Sequence, residues 1–321
     1  MSDSDKYKYG GYNEVVSEVN TFLSPAASIK PLCSDKNRVA KLAFSIPKRS
    51  ESIEKQSAKT QVKVDNDGDL VLPRKTENAD LEELHLLIEY ENSTSIEKVG
   101  LQVWRGAFLL ADFLIHNQIK YAKDKRVLEV GSGTGLTAIV AAMYANLVTA
   151  TDINDPTILK LLETNATGHN KKLINCGFEV KPLDFLDSNW SPELAERVNE
   201  ADVILAADVV YHNDITTAFV HTLKKIVTSG TKSKDIFIAM EKRYIFTMDD
   251  LDSVSPMYAH FMDELDRILQ VYPGCLEKSV KGDNGSTFNT TIQFVPNDYP
   301  QYFTYERTPQ LILLHLKSSV N

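Results

Sequence analysis

The chain has 321 residues, 43% of them hydrophobic, which is enough apolar material for a large core, and a net charge of −9. That acidic balance excludes broad attachment to a phosphate backbone, which needs clustered Lys and Arg, so no direct nucleic-acid binding is expected. No run approaches the ~20 consecutive apolar residues of a membrane span, and the polar start MSDSDKYKYGGY lacks the apolar centre of a signal peptide, so neither a membrane contact nor secretion is expected. Cys33, Cys176 and Cys275 are scattered and form no C-x-x-C pair, and His212 and His221 stand in different helical phases with no neighbouring Cys. Reduced thiols, no metal site and a place in the nucleus or cytoplasm are the expectation.

Residues 1 to about 60 are rich in Ser, Lys, Asp and Asn, and their apolar patches, such as Val15, Val16, Val19, Phe22 and Leu23, suit one amphipathic helix at most. From 61 to 73, QVKVDNDGDLVLP sets two alternating runs around a turn, the pattern of a β-hairpin. A calcium loop opening at Asp65 would put Leu70 where Gly is needed and Thr76 where Glu is needed. A strand over Leu84 to Tyr90 then leads to a helical run from Gln102 to His116, with Val103, Ala107, Leu110, Phe113 and Leu114 at helical spacing.

From there strands and helices alternate. Strands are predicted at 126–130, 147–151, 178–182, 202–207 and 235–241, and helices at 136–144, 156–165, 215–227 and 258–270. Two more strands follow near 288–295 and 310–316. Repeated strand–helix units mean a mostly parallel sheet covered on both faces, because parallel crossovers need a bridging helix. The last two strands lack one and should pair antiparallel.

The sharpest local signal is Val127-Leu128-Glu129-Val130-Gly131-Ser132-Gly133-Thr134-Gly135-Leu136, a buried strand running into a glycine-rich turn. Bare glycines let a backbone approach a ligand closely. A dinucleotide fold prefers G-x-G-x-x-G aimed at pyrophosphate, whereas this loop reads G-x-G-x-G and carries the acid Glu129 just inside the strand. The next strand ends at Asp152, able to accept from both ribose hydroxyls of an adenosyl group, a role shared with NAD proteins. After the third strand, Asp184 can meet an adenine amino group and Phe185 can cover the ring, though Asp184 alone also suits a turn. After the fourth, Asp208 stands at the strand edge with Tyr211 three residues on.

Together with Leu101 to Ala107, these blocks resemble family 16 of the seven-strand methyltransferases, whose members mostly modify protein lysines; Asp208 and Tyr211 match its D-x-x-Y signature, and Glu241-Lys242-Arg243 its acid-x-Arg element. The resemblance covers residues 84 to 321 and is most selective at Glu241 to Asp252 and Tyr299 to Arg307. It implies a Rossmann-like, seven-stranded α/β fold with an antiparallel last strand over 99–321. Residues 61–98 would supply N-terminal strands packed on that catalytic domain, and 1–60 a polar, partly mobile extension. It implies S-adenosyl-L-methionine as cofactor, with Trp104, Gly131, Ser132, Gly133, Asp152, Phe185 and Ala207 lining its pocket and Glu129, Thr134, Gly135 and Asp184 completing the motif blocks. Relatives often carry Trp where Phe185 stands, so stacking is expected here without an indole N–H.

On the acceptor side Asp208 and Tyr211 are expected to orient a lysine amine, with Glu241 holding that wall. The implied partner is a protein bearing the target lysine, and this branch is associated with nucleic-acid-associated targets. The alternatives are a methyltransferase for a small molecule, nucleic acid or other side chain, a methyltransferase fold without turnover, and an NAD-dependent oxidoreductase. The chain lacks an Asn-Pro-Pro-Tyr type sequence after the fourth strand, which weighs against amide and base-amine methylation.

Overall fold

The structure, a computed structural model, describes residues 14–23, 25–47, 81–247, 252–271, 273–274, 278–281 and 287–320. Strands β1 (Arg38–Pro47) and β2 (Leu81–Tyr90) form an antiparallel ribbon with Ala40 opposite Ile88 and Phe44 opposite Leu84. Helices α1 (Arg105–His116) and α2 (Gln118–Tyr121) precede β3 (Arg126–Val130), α3 (Leu136–Ala142), β4 (Leu147–Asp152), α4 (Pro156–Glu163) and β5 (Gly177–Pro182). Then come α5 (Pro192–Glu200), β6 (Val203–Ala207), α6 (Asn213–Thr228), β7 (Lys234–Glu241), the short pair β8 (Ile245–Thr247) and β9 (Asp252–Val254), α7 (Pro256–Leu269), β10 (Lys278–Lys281), β11 (Thr287–Val295) and β12 (Leu311–Val320).

The main sheet runs β10-β11-β12-β7-β6-β3-β4-β5. The five strands from β7 to β5 pair parallel, while β12 is antiparallel to both β7 and β11. This is the expected Rossmann-like sheet with an antiparallel last strand, extended by an eighth, β10, antiparallel to β11. Period-2 alternation divides the apolar side chains between two cores: Val127, Leu205, Phe237 and Leu313 face α1 and α3, whereas Leu128, Ile204, Ile238 and Leu316 face α5, α6 and α7.

Three local expectations are corrected. In place of one amphipathic helix, the described residues of the N-terminal region show a 3-10 turn, Glu18–Thr21, and the strand β1, whose Ala40, Leu42, Phe44 and Ile46 alternate toward the α1 core. Helix α5 was not anticipated, although its Ser191-Pro192 start is a plain helix signal: Ser191 Oγ accepts from Leu194 N at 3.2 Å. Helix α4 ends at Glu163 and is continued by a π-helical turn, Thr164–His169, because the Asn165 carboxamide is drawn inward to Glu89 and Thr134. The expected hairpin at 61–73 lies outside the described residues, as does Cys275.

Two buried carboxylates fasten remote segments to this frame. The fully buried Asp112 on α1 accepts from the backbone N–H of Tyr302 (2.8 Å) and Phe303 (3.2 Å) and pairs with Arg307 Nη2 at 2.6 Å. That lays the aromatic block before β12 on α1, with Phe303 4.7 Å from Phe44 and Tyr305 stacked 5.3 Å from Phe108. Glu89, also fully buried, accepts from Leu32, Cys33 and Ser34 N–H, from Asn37 Nδ2 and from His169 Nε2. Burial works to raise the Glu89 pKa, but the donors of Leu32, His169, Ser34 and Asn37 outweigh it and hold the carboxyl below its ordinary range.

A carboxyl depressed in the folded state contributes stability above its unfolded pKa of ~4.3 and loses that contribution as pH falls through the folded value. Glu89→Gln should therefore lower unfolding stability by about 2–3 kcal/mol at pH 7, since an amide leaves part of this donor set unanswered. The deficit should shrink below about pH 4. Urea denaturation at pH 7 and pH 3.5 checks both statements, and a deficit that is constant with pH would contradict the assigned network.

Candidate active site at the carboxyl edge of the sheet

The carboxyl ends of β3, β4, β5 and β6 open into one cleft. Its floor is the turn after β3, where Gly131 and Gly133 have φ of +65° and +52°. A Cβ on Gly133 would lie 2.8 Å from the Gly100 carbonyl oxygen, so the turn is roofed by the segment Ile96–Leu101. Three of the turn's N–H groups are spent inside the protein: Ser132 N donates to Thr151 O (2.9 Å), Gly133 N to Asp152 Oδ2 (2.7 Å) and Gly135 N to Ser132 O (2.8 Å).

Most residues singled out from the sequence meet here. Trp104, Glu129, Gly131, Ser132, Gly133, Thr134, Asp152, Asp184, Phe185, Ala207, Asp208 and Tyr211 all line the cleft. Gly135 does not; it opens α3 and packs against Leu162, whose Cδ1 would lie 2.5 Å from an added Cβ. Glu241 does not line it either: its Oε1 takes Arg105 Nη1 at 2.8 Å, and Arg105 in turn reaches Glu306 at 2.9 Å. Reading the sequence missed the wall formed by Glu97, Val99, Gly100 and Gln102, together with Ile153, Ile158, Leu183, Val209 and Ile215. Apart from Glu97 and Gln102 these are apolar or turn residues, and none stands in a recognisable motif position of its own.

Glu129 is 1% exposed, and its Oε2 has no hydrogen-bond partner. Burial, opposed by Ser132 and by donors at the start of α3, pushes its pKa up to about 8. Asp152 closes β4 and is likewise raised by burial, to about 6, against the N–H groups of Gly133 and Ile153. Asp184 Oδ1 accepts from Leu186 N at 2.9 Å, so this acid makes the turn and borders the cleft at once. The half-buried Phe185 ring leans on Phe219 at 5.3 Å.

Asp208 sits just past β6 with φ +53°, a left-handed conformation that a side chain adopts only under constraint. The constraint is visible: its own N–H donates to Ala239 O (2.9 Å), while Oδ2 accepts from Gly106 N (2.5 Å) and Oδ1 from Glu241 N (3.2 Å). Gly106 lies in the first turn of α1, so Asp208 caps that helix from across the chain. A side chain there would displace the Asp208 carboxylate, because an added Cβ would fall 2.6 Å from Asp208 Oδ2. Burial raises the Asp208 pKa to about 6, with Arg243 acting to lower it. Tyr211 is pushed to about 12 by burial and by the carboxylates of Asp152 and Asp184. Trp104 Nε1 donates to Val99 O at 2.9 Å and leaves the indole face beside the cleft. Among the described residues, no cluster of three or more His, Cys, Asp and Glu could hold a metal ion, and no helix is long and apolar enough to cross a membrane.

A mostly parallel sheet with this cleft at its carboxyl edge defines a Rossmann-like α/β protein of the methyltransferase type. The family model described as "Lysine methyltransferase" matches residues 81–266, and the chain belongs to that family. It is 34% identical over 239 residues to methyltransferase-like protein 22 of Mus musculus, covering 70% of this chain and 57% of that protein. Against methyltransferase-like protein 22 of Homo sapiens the identity is 31%, with 70% and 56% covered. Protein-lysine N-methyltransferase EEF2KMT of Mus musculus is 30% identical over 183 residues, 52% of this chain and 49% of that one. The chain thus spans a little over half the length of the methyltransferase-like relatives.

The raised carboxyls carry a stability signature. Unfolded Glu loses its proton near ~4.3, whereas folded Glu129 keeps it until about 8, so folded stability falls as pH rises between those values. Glu129→Gln lacks this titration. Relative to the parent it should gain up to about 1.4 kcal/mol per pH unit across the window and then level off. Denaturation curves at pH 5, 7 and 9 measure this, and a gap independent of pH would show that Glu129 is not buried as a protonated acid.

Proposed function

We propose that the chain is a protein-lysine N-methyltransferase that takes its methyl group from S-adenosyl-L-methionine. The observation that carries this reading is one continuous cleft joining Glu129 to Asp208 and Tyr211 in a member of the lysine methyltransferase family. The residues fit the cofactor. The partnerless Oε2 of Glu129 is an acceptor awaiting a donor such as the methionine ammonium, and the bare turn at Gly131 admits a backbone-close ligand. Asp152 would take the ribose hydroxyls, Asp184 and Phe185 would meet the adenine, and Trp104 and Ala207 would close the walls. Bound there, the cofactor supplies a methyl carbon activated by a positive sulfonium.

The acceptor end then has one main task. In-line displacement needs the amine lone pair, methyl carbon and sulfur nearly collinear, so orientation supplies most of the rate. Asp208 is suited to orienting because three backbone hydrogen bonds fix it before any acceptor arrives. With a pKa of about 6 it is charged at neutral pH, and that charge attracts the amine as a cation and opposes its deprotonation, so Asp208 is assigned orientation and no general base is assigned. Tyr211 borders the same space, and Glu241 acts through Arg105, holding the start of α1 against β7. The partner is a protein bearing a lysine, with nucleic-acid-associated proteins carried from the family resemblance, and the site of action is the nucleus or cytoplasm. The acidic balance of the chain favours a basic protein partner over nucleic acid itself.

Incubating the purified protein with methyl-labelled S-adenosylmethionine and cell extract should place label on lysine side chains of one or a few proteins, read by mass spectrometry. Label confined to RNA or small molecules would overturn the reading. Two variants separate the halves of the site. Asp208→Asn should lower the transfer rate by about 100-fold with cofactor affinity kept within a few fold, while Asp152→Ala should lose cofactor affinity in calorimetry. Retained affinity in the second would remove the ribose role.

A further inference from the structure

Residues that precede the family-matched span are moored behind the wall of the cleft that carries Gln102 and Trp104. Ser17 N donates to Gln102 Oε1 (2.7 Å), Ser17 Oγ to Val103 O (2.5 Å), and Gln102 Nε2 to Val15 O (2.9 Å). Val15 and Thr94 exchange backbone hydrogen bonds of 2.7 and 3.0 Å, and Val19 is fully buried. Because Gln102 and Trp104 line the cleft, this segment is moored to the outer side of its wall. The mooring sets Glu18 opposite Arg243, with Oε2 3.9 Å from Nη2, and Arg243 lies over the Trp104 ring at 4.8 Å. Glu18 Oε1 is buried and has no hydrogen-bond partner.

A partly exposed ion pair at this distance adds little to stability. Neither residue lines the cleft, but Arg243 lies on Trp104, which does, and both charges act on the Asp208 carboxyl, Arg243 lowering its pKa and Glu18 raising it. Among the described residues, other ionisable groups at the acceptor end are Arg105, Glu241, Glu306, Tyr211 and Glu97. Glu241 is already matched by Arg105, Tyr211 is neutral at physiological pH, and Glu97 lies on the wall of the cleft. Asp152 and Asp184 sit farther in, toward the proposed cofactor end.

Resting on the lysine-methylation reading above, we propose that Glu18 and Arg243 are a charge pair that positions the acceptor. Glu18 draws the lysine cation to the mouth, and Arg243, held on Trp104, favours release of its proton. The ammonium gives that proton to water. The freed lone pair then forms the nitrogen–carbon bond while the carbon–sulfur bond breaks and leaves its electron pair on sulfur. A cation near the amine lowers the amine's pKa and an anion raises it, so the two residues push in opposite directions.

The test is the pH dependence of lysine labelling in cell extract, together with titration of the Asp208 carboxyl carbon by NMR in aspartate-labelled protein, which needs no acceptor. In Arg243→Gln both midpoints should rise by about one pH unit, a size expected for one charge at this range in a partly wet site. In Glu18→Gln, which keeps an amide oxygen for Arg243, both should fall, and Arg243→Lys should restore the parent profile. A merely structural role predicts neither the opposite signs nor the rescue, and thermal unfolding confirms that each variant is folded. Superimposed profiles, or shifts of the same sign, overturn the proposal even when lysine is labelled. If the parent labels no protein lysine, the functional reading falls and this proposal falls with it, whatever the Asp208 titration shows.

Discussion

Asp208, by its side chain and its backbone, ties together the ends of β6, β7 and α1 at the edge of the cleft. Through Gly106 N it caps α1, through Glu241 N it holds the end of β7, and its own N–H returns to Ala239 of β7. The cost is a left-handed backbone at a residue with a side chain, on the order of 1–3 kcal/mol, together with a partly desolvated charge. The capping bonds, the dipole of α1 and the adjacent Arg243 offset it. Gly106 is the complementary constraint, since a methyl group there would occupy the place of the carboxylate. The residue proposed to orient the acceptor is thus held by the scaffold, and the strain stored in it is evidence of that arrangement.

The cradle opposite Asp208 is held from behind in a similar way. Asn165 Nδ2 donates to both Glu89 O and Thr134 O at 2.9 Å, and Glu89 N donates back to Asn165 Oδ1 at 2.7 Å. One amide therefore couples the glycine turn to β2, while the Glu89 carboxylate binds residues 32–37 on the far side. Residues before the family-matched span are in this way part of the frame of the site: Val19, Leu23, Ala40, Phe44 and Ile46 share a core with α1 and α3.

The alternating strands and helices were legible because each carries its own periodicity, and the motif residues were legible because glycines and acids recur at successive strand ends, a set more specific than any one of them. What escaped was of two kinds. The strand β1 does alternate at Ala40, Leu42, Phe44 and Ile46, but its partner is β2, far along the chain, and pairing at such separation leaves no local mark. The cleft wall at Val99, Gly100 and Gln102 consists of ordinary turn residues whose importance comes only from what lies across from them, Gly133 above all. The selective block Tyr299 to Arg307 was recognised, but its work is packing: it is anchored to Asp112 on α1, with only Glu306 reaching toward the acceptor end through Arg105.

The arrangement of donors and acceptors also separates the proposed cofactor from a dinucleotide. A pyrophosphate site needs free N–H groups at the glycine turn and a local positive field. Here the N–H groups of Ser132, Gly133 and Gly135 are committed to Thr151, Asp152 and Ser132, and two buried acids, Glu129 and Asp152, border the turn. Those acids are raised toward neutrality because burial leaves their charge uncompensated. A ligand bearing positive charge relieves that cost, whereas a diphosphate would deepen it. With Asp184 and Asp208 also on its walls, the cleft presents acids along its length, which suits the meeting of a sulfonium and a lysine, each arriving as a cation.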